Sequence, residues 1–103
     1  IGSPARDAVD AFLADLVAGR VDAAYDRLCA RTRGDVDRAR FAEAVAQRQV
    51  TGYEIDDVSA ASLGSRGAAV VSTRLIVAGG RVVEHTVPVT VERDEWRVCG
   101  DPY

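Results

Sequence analysis

Lysine, methionine and asparagine are absent from the 103 residues, and there are only one histidine, one tryptophan and two cysteines. Each scarcity excludes something. Two cysteines are too few for a structural zinc site, which usually needs four ligands. No apolar run approaches the roughly 20 residues needed to cross a bilayer, so no transmembrane helix is encoded. There is no basic excess either: 13 arginines face 16 acids, for a net charge of −3, which argues against nucleic-acid binding. The deficit is uneven. Residues 1–50 are neutral and residues 51–103 carry all of it. No glycine-rich phosphate loop, nucleophile elbow or metal-ligand spacing occurs. Disorder is excluded as well, because 48% of the residues are apolar and a disordered chain would be poorer in them.

What is present is alanine and valine, 33 residues together. With arginine as the only cation, this composition points to a GC-rich genome. The length fits one domain over residues 1–103. The chain opens on Ile1-Gly2-Ser3 without an initiator methionine. It is therefore expected to be a mature or truncated fragment, with any signal peptide or anchor upstream.

The first half has helical periodicity. Ser3-Pro4 reads as an N-cap followed by proline at the first helical position. Val9, Phe12, Leu13, Leu16 and Val17 form an apolar stripe, and Gly19 ends the helix. A second helix is predicted from Asp22, as its cap, to about residue 30, with Tyr25, Leu28 and Cys29 inward and a break at Thr32-Arg33-Gly34. A third should start at Asp35 or Asp37 and run to about Arg48, with Phe41 and Val45 on one face.

The period then changes to two. Strands are predicted over 53–59, 68–78, 81–92 and 95–99. A bulge in the first would bring Ile55 and Val58 to one face. Gly64 to Gly67 reads as a loop, and Gly79-Gly80 and Arg93-Asp94 as tight turns. In the third strand the odd residues Val83, His85, Val87, Val89 and Val91 face the core. Pro88 marks an edge or a bulge. A two-residue Gly79-Gly80 turn would set Arg74 opposite His85, putting Val70, Ser72, Arg74 and Ile76 on the inner face. Val71, Thr73, Leu75 and Val77 would then form an outer face unusually apolar for water.

Helices followed by an antiparallel meander make an α+β fold: three N-terminal helices on a curved four-stranded sheet. With the opening PARDAVDAFLADLVAGRVDAAYDRLC and the ending VPVTVERDEWRVC, this order resembles the nuclear transport factor 2-like (NTF2-like, cystatin-like) superfamily. Within it, the chain is similar to small secreted or lipid-anchored proteins of actinobacteria, some grouped as lumazine-binding-like. The resemblance implies a cone-shaped interior and a disulfide between Cys29 and Cys99. The alternative is two buried free thiols in a cytosolic protein. A disulfide would favour export, to a secreted state or to the outer side of the cytoplasmic membrane. Contact with a membrane would come only through an N-terminal anchor.

The candidate chemistry gathers at that cone. His85 would be general acid or base, Asp57 its partner and Arg74 an anion holder. Tyr25, Tyr53 and Trp96 would complete a ligand pocket. The plainer alternatives are a histidine at the edge of the core and a core tryptophan. Asp56-Asp57 is too small a carboxylate pair to hold a metal. No metal and no cofactor is expected. The series Arg27, Arg31, Arg33, Arg38 and Arg40 could meet an acidic partner or lipid headgroups. Interspersed acids make it read as a solvated mixed-charge surface. The apolar outer strand face suggests a homodimer through the sheet. The resulting expectation is a non-enzymatic exported domain at the cell envelope that binds a small apolar ligand or an envelope protein. The alternative is a small isomerase- or dehydratase-like enzyme built around His85.

Overall fold

Proline at the first position and glycine after the last turn bound helix α1, Pro4–Ala18; Gly19 takes φ +81° there. The computed structural model describes residues 4–60 and 68–99, so the predicted Ser3 cap and the Gly64–Gly67 loop lie outside the described residues. Ala5, Val9, Phe12, Leu13 and Leu16 form the buried stripe of α1. Val17, predicted inward, is 40% exposed.

Among the described residues there are four helices where three were expected. The predicted second helix ends early, as α2 (Val21–Asp26), and a separate helix, α3 (Ala30–Asp35), covers the predicted break. The chain leaves the helix between them because it pairs with a distant strand. The Val98 amide donates to the Arg27 carbonyl at 3.0 Å, and the Cys29 amide to the Val98 carbonyl at 2.8 Å. Thr32-Arg33-Gly34 is therefore helical rather than a break. Asp22 does not cap α2, whose N-cap is Arg20; its carboxylate accepts from Arg38 instead. Helix α4 (Arg38–Arg48) starts at Asp37, whose side chain accepts from the Arg40 amide at 2.8 Å. Satisfying one of the orphan amides of the first turn in this way favours Asp37 over Asp35 as the cap.

Strands β1 (Val50–Ala60), β2 (Ala68–Val77), β3 (Val82–Glu92) and β4 (Glu95–Val98) form an antiparallel sheet in sequence order. Asp56 is the extra residue in β1, so Ile55 and Val58 face Thr73 and Val71 on the same side, as the pattern required. Arg93 and Asp94 both take positive φ in the β3–β4 turn, and Val91 opposes Trp96 as expected. Pro88 marks an edge. Its carbonyl accepts from Cys99 on the β4 side, so its missing amide donor falls on that side. Pairing with β4 covers only Val89 to Glu92.

The β2–β3 register differs from the expected one by a single residue. Val77 still pairs with Arg81, its amide donating to the Arg81 carbonyl at 2.9 Å, so three residues form the loop. A turn from Val77 to Gly80, with Gly79 at φ +88°, closes it, and Gly80 follows at φ +79°. Such a turn needs glycine at its third position. A one-residue slip exchanges the faces of a strand. Ala69, Val71, Thr73, Leu75 and Val77 are therefore buried, and Val70, Ser72, Arg74 and Ile76 lie on the outer face. The face on which a sheet-mediated homodimer was expected is the interior of the fold.

α1 packs across all four strands. Its stripe meets Val71, Leu75, Val87, Val89 and Val98 in one hydrophobic core. Phe12, Phe41 and Tyr25 stack through that core, with Phe41 lying 6.2 Å from Phe12 and 5.6 Å from Tyr25 between ring centroids. Cys29, at the bend before α3, and Cys99, just past β4, are joined by a disulfide with 5.3 Å between their Cα atoms. A disulfide sulfur has no hydrogen to give, so the hydroxyls of Thr32 and Thr90 are the donors to Cys29 and Cys99, at 3.4 and 3.3 Å.

Candidate functional site

The register change disperses the residues proposed for chemistry. Arg74 opposes Glu84, not His85. It lies on the outer face, bound to Asp56 at 2.9 Å and Glu54 at 3.3 Å. The hydrogen bond to Asp56 and the neighbouring carboxylates raise its pKa above the ordinary arginine value. Asp57 pairs with Ser72 on the same outer face and is exposed. His85 is on the inner face, half-buried at the end of the core between Val83 and Val87. Its carbonyl accepts from the Thr73 hydroxyl at 2.7 Å. The sheet therefore separates His85 from Arg74 and Asp57.

The three aromatic candidates also turn to different partners. The Tyr25 hydroxyl donates to the Val36 carbonyl at 2.8 Å, and the Arg38 guanidinium lies 4.7 Å from the centre of its ring. The Tyr53 hydroxyl donates to the Asp10 carboxylate at 2.5 Å, tying β1 to α1. Burial and that carboxylate push the phenol up to about 12. Trp96 is half-buried against the core near the start of α1.

Apart from a depression of about 230 Å³ over the sheet, lined by Asp56, Ser72, Thr73, Glu84, His85 and Thr86, three open concavities at the described residues lie outside the core, around the end of the molecule where α3 meets β4. One groove of about 450 Å³ runs past Pro4, Arg27, Trp96 and Arg97. It shares Glu95 and Arg97 with a second, of about 390 Å³, lined by Ala30, Arg33, Glu92 and Arg93. That one shares Glu92 with a third, of about 600 Å³, against Pro88, Thr90 and the disulfide. Both Glu92 oxygens accept from the Ala30 amide at 3.1 Å. Arg97 is fixed by the Asp26 carbonyl and by Glu95. Among the described residues, no group of three or more histidine, cysteine, aspartate or glutamate residues is arranged to hold a metal ion.

A solved structure decides the fold. A crystal structure at 2.00 Å of a proposed NTF2-like transpeptidase from Campylobacter jejuni superposes with a TM-score of 0.67, covering 93% of this chain and 97% of that one. The fold is NTF2-like. The two chains are 13% identical, so the likeness concerns architecture alone. No protein-family model matches the chain, and no curated protein matches it by sequence.

Among the described residues, the space where α1 and α4 face the sheet is occupied by side chains of the chain itself. Phe12, Leu13, Phe41, Leu75 and Val87 are 0–2% exposed. The residues that line the outer grooves were only partly legible. Arg31 and Arg33 read as part of a mixed-charge helix. The approach of Arg33 to Arg93 and Arg97, and of Arg31 to Pro88 and Glu92, follows from the seam between Arg27–Cys29 and Val98. The pairing of Cys29 with Cys99 was the one signal in the sequence that could have revealed it.

Proposed function

We propose that this chain is a non-enzymatic, exported NTF2-like domain, secreted or anchored on the outer side of the cytoplasmic membrane, that acts by binding a protein partner at the cell envelope. The observation that carries the reading is the filled cone. A ligand or substrate entering between helices and sheet would have to displace Phe12 and Phe41, both 0% exposed. The disulfide supports a compartment outside the reducing cytoplasm. An isomerase- or dehydratase-like centre at His85 would need Asp57 and Arg74 on its own face, and both lie on the other.

Titration with the apolar dye anilinonaphthalene sulfonate tests the cone. A filled cone gives no saturable binding at neutral pH. One-site saturation that disappears in Phe41→Trp would restore the pocket and the enzyme reading with it. A fusion of the full-length gene product to alkaline phosphatase, active only outside the cytoplasm, tests the compartment. A silent fusion would remove the envelope from this proposal.

A further inference from the structure

The two sulfurs of the disulfide stand in unequal surroundings. Cys29 is 1% exposed, whereas Cys99 is half-buried. The groove of about 600 Å³ between α3 and the second half of β3 opens onto the bridge, with Arg31, Pro88, Thr90 and Cys99 in its lining. Both cysteine backbones are held without help from the bridge. The Cys29 amide donates to the Val98 carbonyl at 2.8 Å, the Val98 amide to the Arg27 carbonyl at 3.0 Å, and the Cys99 amide to the Pro88 carbonyl at 2.8 Å. Each sulfur also accepts from a threonine hydroxyl, Cys29 from Thr32 and Cys99 from Thr90.

We propose that Cys99 Sγ is a site of thiol–disulfide exchange in the folded protein, attacked from this groove by a small thiol. Exchange begins when a thiolate reaches one sulfur of a disulfide, and access decides which. Burial closes the approach to Cys29, so the attack falls on Cys99. A bond forms between the incoming sulfur and Cys99 Sγ. The bond between the two cysteines breaks, and its electron pair leaves on Cys29 Sγ. The Thr32 hydroxyl is already placed to donate to that thiolate, a bond that strengthens when the acceptor is charged. Cys29 then takes a proton from water. A second thiol attacks the mixed disulfide at the incoming sulfur and releases Cys99 as a thiolate. Two small thiols are thereby oxidised to their disulfide, and the bridge is reduced to two cysteines. The backbone bonds at Cys29, Val98 and Cys99 persist when the bridge opens. Cys29 therefore stays beside Cys99, and the bridge can reclose by the reverse step without global unfolding. A bridge shielded at both sulfurs would react only from the unfolded chain. A cysteine of a folded protein would need a projecting segment to reach into the groove, so the geometry favours a small thiol.

The test is the rate at which dithiothreitol opens the bridge of the parent protein, followed by acid quenching, alkylation and mass spectrometry. The rate should be first order in dithiothreitol and should change less than about twofold on adding about 1 M urea. Exchange that waits for global unfolding would rise about fivefold or more over the same step, and that rise overturns the proposal. Single variants locate the attacked sulfur. The Cys99 thiol of folded Cys29→Ala should react with dithiodipyridine about tenfold or more faster than the Cys29 thiol of folded Cys99→Ala. Equal rates, or a faster Cys29, overturn the assignment to Cys99. Should either single variant fail to fold, the urea dependence of the parent still decides whether the folded protein exchanges. The site goes beyond the interaction reading and is independent of it: it can fail while the filled cone stands.

Discussion

Asp15 shows how a charge is kept inside a small core. Its side chain is 6% exposed, yet both oxygens are bound, Oδ2 by Arg27 Nε at 2.7 Å and Oδ1 by Arg20 Nε at 2.9 Å. Burial alone would raise its pKa. The hydrogen bonds and charges of Arg27 and Arg20 outweigh it, and the carboxyl lies below its ordinary value of 3.8. A group with a lowered folded pKa binds more protons when unfolded. Its stabilisation is therefore complete above the unfolded value and is lost as pH falls through the folded one. Asp15→Asn should cost about 1–3 kcal/mol at pH 7, measured by chemical denaturation, and the gap to the parent should close below about pH 4. Nothing in the sequence marks this aspartate. Asp10, one helical face away, is exposed. What separates the two is the seating of α1 on the sheet and the position of Arg27, both set by tertiary contacts.

The strands were legible where polarity alternates and ambiguous where it does not. In β3 the even residues Glu84, Thr86 and Glu92 identify the outer face. In β2 both faces are apolar, Val70 and Ile76 on one and Val71, Leu75 and Val77 on the other. The faces of β2 therefore hung on the length of a loop that two glycines can build in more than one way. The early end of the second helix was hidden for another reason, because its cause, Val98, lies about 70 residues away in sequence. Glycine has opposite meanings in these two elements. Gly79, at φ +88°, should lose about 1 kcal/mol when changed to alanine. Gly34 lies within α3 with nothing within 4 Å of an added Cβ. Gly34→Ala should gain about 0.5–1 kcal/mol. Urea unfolding of the two variants checks both signs.

At the scale of the molecule, the disulfide is the largest single constraint on the unfolded chain. Bridging a separation of 70 residues stabilises by about 4 kcal/mol on the chain-entropy account, out of roughly 5–15 kcal/mol expected for such a domain. The Cys29→Ala/Cys99→Ala variant should lose that amount in urea unfolding. Oxidised protein should show no reactive thiol in denaturant. Two reactive thiols without reductant would contradict the bridge.

The same bridge decides how the domain bears tension. A pull applied at the two ends of the chain passes from Cys29 directly to Cys99 and bypasses everything between them. Helices α1 and α2 lie on the N-terminal side of the bridge and can unravel, each residue yielding about 3.3–3.6 Å of length. Strands β1 to β4 and helices α3 and α4 lie within the covalent ring and carry no load while it is closed. Under such a pull, oxidised protein is short and stiff; reduced protein can pay out its whole length.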